Sequence, residues 1–123
     1  MKAQYVHELE AYQTAFRLQQ TVFEHTKSWP REEAYSLTDQ IRRSSRSIGA
    51  NLSEASAKRR YPAHFLSKLT DADGELSETR HWIATAEACA YINDQEAIRL
   101  QEEANLVGRL LGSMIQKHRD FCL

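Results

Sequence analysis

The sequence predicts an all-α protein, an antiparallel up-down-up-down four-helix bundle forming a single domain over residues 1–123. Three observations carry that expectation. Four glycines and two prolines leave little room for a turn-rich β fold, and the dominant Glu, Gln, Ala, Leu, Arg and Ser are a helical composition. Apolar residues recur in alternating three- and four-residue steps along four stretches of similar length, as in the seam of a bundle. Short turn signals join those stretches, which makes neighbours in sequence neighbours in space.

The first helix is expected over residues 7–28. Leu9, Tyr12, Phe16, Gln19 and Phe23 form its seam, and a second line, Ala11, Ala15, Leu18 and Val22, widens the apolar face. Trp29-Pro30 ends it, since proline disfavours helical geometry in the residue before it. Residues 30–36 make a connector, with Trp29 and Tyr35 expected to cover the end of the core. The second helix runs from Leu37 to about Arg59, with Ser36 as its N-cap and Asp39 in its first turn.

Pro62 opens a third helix, where its missing N–H costs nothing. Phe65, Leu69, Ala72, Leu76, Thr79, Ile83, Ala86 and Ala90 then give the cleanest periodicity of the chain. Gly74 interrupts it at a cost of about 1 kcal/mol relative to alanine, so a close helix contact is expected there. Tyr91-Ile92-Asn93 makes the next turn, and Asn93 with Glu96 reads as a capping box. The fourth helix, about 94–118, repeats the rhythm with Ala97, Leu100, Ala104, Val107, Leu111, Met114 and His118. Leu106, Leu110 and Ile115 run beside it, and Phe121 and Leu123 end the chain apolar.

The second helix organises the rest. Leu37, Ile41, Ser44, Ser45, Ile48, Leu52 and Ala55 fall on one arc, which faces the core. The other arc carries Arg42, Arg43 and Arg46, then Gly49, Ala50, Ser53 and Ala57. A face open only to water usually carries long charged side chains, whereas small residues let another backbone approach. Gly49, Ala50, Ser53 and Ala57 are therefore expected to line a homo-oligomer interface. Gln40, Arg43, Asn51 and Glu54 are expected to share a hydrogen-bonded network that fixes helix register, because polar groups at the edge of an apolar arc need partners.

Net charge is −1, which gives the whole molecule no strong pull on nucleic acid. Its distribution is uneven. Residues 38–68 hold seven basic groups against two acids, and residues 69–105 hold nine acids against two basic groups. Arg42, Arg46, Lys58, Arg59 and Arg60 are the candidate phosphate contacts to an RNA, DNA or nucleoprotein partner, since arginine forks suit phosphate. The same charges also serve pairing between or within subunits, with Glu75, Glu78 or Glu103 as partners, or simply cap a helix C-terminus.

Catalytic signals are scarce. Glu78-x-x-His81 is half of a di-iron carboxylate signature, but none of His7, His25, His64 and His118 has a Glu three residues before it. The sequence holds no Gly-rich phosphate loop or nucleophile elbow. Neither cofactor nor metal nor small-molecule substrate is expected, and a metal-binding bundle enzyme is the remote alternative. No run approaches the roughly 20 apolar residues of a membrane span. The N-terminus lacks the apolar core of a secretion signal, and Cys89 and Cys122 form no C-x-x-C pattern, so free thiols in the cytoplasm are expected.

One family shares this order of residues. Leu9-x-x-Tyr12-x-x-Ala15, Trp29-Pro30, Leu37-Thr38-x-Gln40-Ile41-x-Arg43, Ser47-Ile48-x-Ala50-Asn51-Leu52-x-Glu54 and Phe65-x-x-x-Leu69 resemble the bacterial "four helix bundle protein" family. That family is found as reading frames in intervening sequences of 23S ribosomal RNA genes and includes accessory proteins of diversity-generating retroelements. The chain departs from it at Gly49, where proline is usual, at Glu54-Ala55 in place of Glu-Gly, and at Ala72-Asp73-Gly74-Glu75 in place of Ala-x-Gly-Ser. The resemblance implies a homo-oligomer, typically a pentameric ring, without enzymatic activity. For the retroelement branch it implies a basic surface that engages nucleic acid and a reverse transcriptase.

Overall fold

A computed structural model describes residues 9–123; the expected helix start at residue 7 lies outside them. Four helices, α1 (Glu10–Thr26), α2 (Leu37–Ala57), α3 (Pro62–Ala88) and α4 (Asp94–Gln116), enclose one hydrophobic core. Short 3-10 turns lie at Arg31–Glu33 and His118–Phe121. Each long helix packs against two others, α1 on α2, α2 on α3, α3 on α4 and α4 back on α1. Cross-helix pairs give the sense of each contact. Arg43 meets Glu78 while Glu54 meets Lys68, and His25 meets Glu96 while Thr21 meets Glu103. Residue numbers rise on one helix as they fall on the other, so these neighbours are antiparallel. Among the described residues no helix is long and apolar enough to cross a membrane.

The third helix buries what its periodicity predicts. Phe65, Leu69, Ala72, Leu76, Thr79, Ile83 and Ala86 are all essentially inaccessible, and burying each large apolar side chain stabilises the fold by about 1.5–3 kcal/mol. Ala90, the last expected seam position, is instead exposed with φ 60°. It is the residue that turns the chain. The Tyr91 N–H bonds to the Ala86 carbonyl and the Ala90 N–H to that of Glu87, both at 2.9 Å, the pattern that closes a helix through a left-handed residue. At the start of α4, Asn93 and Glu96 form the expected capping box, with bonds of 2.8 and 2.9 Å.

The first helix corrects the expected seam. Its buried line is Ala11, Thr14, Ala15, Leu18, Val22 and Thr26. The larger Tyr12, Phe16 and Phe23 lie along the α1–α2 flank, where Phe16 is 45% exposed. Small residues on the inner line let α1 sit close to its neighbours, and the aromatic rings then cover the groove from outside.

At the α1–α2 connector, Trp29 is buried against Tyr91, with ring centroids 5.8 Å apart. Tyr35, expected to help cover the core, is 95% exposed. Ser36 occupies the N-cap position of α2 without a side-chain cap bond. Glu33 caps it instead, accepting the Leu37 N–H at 3.2 Å and the Tyr91 hydroxyl at 2.8 Å. Those two bonds, Tyr91 first, hold the Glu33 carboxyl below its usual range, and the Tyr91 hydroxyl is in turn pushed up to about 12 by Glu33.

Candidate nucleic-acid interface

The helical turn of about 100° per residue sends adjacent arginines of α2 in different directions. Arg42 and Arg46 face α1, and Arg43 faces α3. Phe23 of α1 receives the first pair: the Arg42 and Arg46 guanidinium carbons lie 4.8 and 5.4 Å from its ring centroid. Lys27 places its ammonium 5.0 Å from the same centroid. The Arg42 Nε also donates to Thr26 Oγ1 at 2.8 Å. Among the described residues no carboxylate forms an ion pair with Arg42 or Arg46. A guanidinium stacked on a ring keeps N–H edges for an outside acceptor. The sequence hid this aromatic partner because it lies on another helix.

Arg43 has the opposite fate. Its guanidinium pairs with Glu75 at 3.3 Å and more closely with Glu78, and the bonds to Glu78 and then Glu75 raise its pKa further above the ordinary arginine value. Glu78 also accepts the Trp82 indole N–H at 3.0 Å, and that bond, with Arg43 behind it, lowers its carboxyl against the opposing effect of burial. Beneath this clamp, Thr79 Oγ1 lies 2.9 Å from Ser44 Oγ inside the core. Glu78 is thus engaged by two donors while exposed His81 packs on Trp82. Among the described residues no cluster of His, Cys, Asp or Glu is placed to hold a metal ion.

The expected four-residue network is not assembled. Asn51 donates back to the Ser47 carbonyl at 2.9 Å, and Glu54 pairs with Lys68 at 2.6 Å, which raises the lysine pKa. Gln40 engages its own helix through a backbone bond to Ser36. Register between α2 and α3 therefore rests on Arg43 with Glu75 and Glu78, on Glu54 with Lys68, and on the Ser44–Thr79 contact.

The small residues of α2 divide likewise. Ala50, Ser53 and Ala57 are exposed along one strip. Gly49 is buried within its own subunit, where an added Cβ would sit 3.6 Å from the Tyr12 ring and 3.8 Å from Gln19. It belongs to the α1–α2 contact and is removed from the open strip. Gly74, expected at a close helix contact, is instead exposed, and a Cβ added there would meet no neighbouring atom within 4 Å. It borders a surface hollow shared with Asn51 and Asp71.

The remaining basic candidates lie about 24 Å along α2 from Arg42, sixteen residues on at about 1.5 Å each. Lys58 and Arg60 are exposed at the α2–α3 corner, and Arg59 is half-buried with its Nε donating to the Ser56 carbonyl at 3.2 Å. The C-terminal 3-10 turn folds onto this corner. Phe121 stacks on Phe65 with centroids 6.4 Å apart, Cys122 is buried, and the Leu123 N–H bonds to the Arg59 carbonyl at 3.0 Å. The opposite end of the bundle gathers Glu32, Glu33, Glu87, Asp94 and Glu96 against Lys27, Arg31 and Arg42. There Glu87 has its carboxyl raised by Asp94 beside it.

The fold and these surfaces define a small four-helix-bundle protein with cationic patches outside and an apolar interior. The sequence matches the 23S rRNA-intervening sequence protein family over residues 7–113, and the chain belongs to that family. A solved structure, a protein with unknown function from the S23 ribosomal protein family of Bacteroides thetaiotaomicron, superposes with a TM-score of 0.77 at 24% identity. The match covers 86% of this chain and 95% of the other, and it carries the fold alone. No curated protein matches the chain.

Proposed function

We propose that this chain is a non-enzymatic oligomeric scaffold that binds nucleic acid through its basic surfaces, assembling as a ring of identical subunits with five members. The observation that carries the reading is the stack of Arg42 and Arg46 on Phe23, two guanidinium groups without a carboxylate partner among the described residues. Its chemistry fits phosphate oxygens, and the family to which the chain belongs is named for an intervening sequence of ribosomal RNA. The exposed strip Ala50, Ser53 and Ala57 supports the assembly part, since it admits a second backbone where long side chains are absent.

The test is salt-dependent RNA binding by the intact protein. Arg42→Glu with Arg46→Glu should cost at least about tenfold in affinity and lower the slope of log affinity against log salt by about two. Undiminished binding at low salt removes those residues from the role. Ala50→Glu should turn the oligomer into helical monomers by light scattering with circular dichroism, and an unchanged mass removes the strip from the interface. A wild-type oligomer that binds no RNA leaves an assembly module in which the charges serve subunit contacts only.

A further inference from the structure

We infer that the α2–α3 corner with the C-terminal turn is a site for single-stranded RNA, in which Tyr61 stacks an unpaired base between flanking phosphate contacts. The inference rests on the nucleic-acid reading above and adds to it a second contact region and a strand preference. Two segments almost sixty residues apart in sequence meet here. Lys58 and Arg60 come from the corner, and Lys117 and Arg119 from the turn that docks on it. All four are exposed and, among the described residues, none is ion-paired. Asp120 is the sole acid of residues 58–64 and 117–123.

Tyr61 follows Arg60 at the same corner and is 56% exposed. Its backbone is held extended, at φ −122° and ψ 94°, because Pro62 follows it. The His64 ring braces it edge-on at 6.0 Å. An exposed aromatic fixed from below and set at a corner with cations is what a base leaving a phosphate backbone requires, and every base offers a face to it. A paired duplex buries those faces in its own stack, so the ring selects unpaired strands.

The experiment compares the binding of an oligouridine of about a dozen nucleotides and of a blunt RNA duplex by the full chain. Wild type should prefer the oligouridine. Tyr61→Ala should lose about tenfold for oligouridine while duplex binding holds, and Tyr61→Phe should retain wild-type affinity. Lys117→Glu with Arg119→Glu should weaken both probes at unchanged helicity. Tyr61→Ala binding oligouridine as wild type does, or equal wild-type affinity for both probes, overturns the site. Wild type binding neither probe overturns the broader nucleic-acid reading; binding lost only in the Arg42 and Arg46 variant supports that reading and overturns this one.

Discussion

The two flanks of α2 use arginine in opposite ways. On the α3 side, Arg43 is closed between Glu75 and Glu78, and its charge is consumed in fixing one helix against another. On the α1 side, Arg42 and Arg46 rest on Phe23 and keep their charge for outside. Residue type does not distinguish them. What does is the neighbour that each helical direction meets, two carboxylates on α3 and a ring on α1. A run of basic residues thus supplies a structural clamp on one flank and leaves charge open to the outside on the other.

Substitutions on each flank should separate the two in RNA affinity. The largest effect is the tenfold loss of RNA affinity from charge reversal at Arg42 and Arg46, which should also cost about 1–2 kcal/mol of stability as the contacts with Phe23 and Thr26 are lost. Arg43→Ala should cost about 1 kcal/mol of stability by denaturant unfolding, since the pair is half open to water. Its RNA affinity should stay within about twofold in a binding titration, a change of about 0.4 kcal/mol. An RNA affinity that falls as far in Arg43→Ala as in the Arg42 and Arg46 variant would erase the distinction between the flanks.

Gly49→Ala should have a smaller and opposite effect. The added methyl finds ordinary contact with Tyr12 and Gln19, and alanine favours the helix, so unfolding free energy should rise by about 0.5–1 kcal/mol. A destabilised variant would mean that the α1–α2 groove is tighter than these distances. The smallest effect is spectroscopic. With its folded pKa raised from 10.0 to about 12, Tyr91 contributes stability that is complete below pH 10 and lost as pH rises through 12. Ultraviolet titration should show Tyr91 ionising late, and Glu33→Gln should return it towards its ordinary value.

The third helix is legible in the sequence because it has a single dominant apolar line. In the fourth, the seam from Ala97 to Met114 is the buried one although Leu106, Leu110 and Ile115 run beside it. Phe65 through Ala86 needed only their spacing, and Asn93 with Glu96 formed its box locally. The first helix offered two lines, and the larger aromatic residues drew the seam away from Ala11 and Ala15. Only a partner helix decides which line lies inside, because α2 places Gly49 under Tyr12 and gives Phe23 two guanidinium groups to carry. The cap of α2 was hidden for a related reason. Glu33 holds its position through Tyr91, fifty-eight residues away, and no local pattern contains that bond.

The unequal ends of the bundle have a consequence before any contact forms. Among the described residues the α2–α3 corner carries an excess of cations and the other extremity an excess of carboxylates, which Lys27, Arg31 and Arg42 only partly offset. The subunit is thus unequally charged along the bundle despite a net charge of only −1. In the field of a polyanion it turns corner-first, and encounter is oriented rather than random. That torque fades as added salt shortens the reach of each charge to about 10 Å or less.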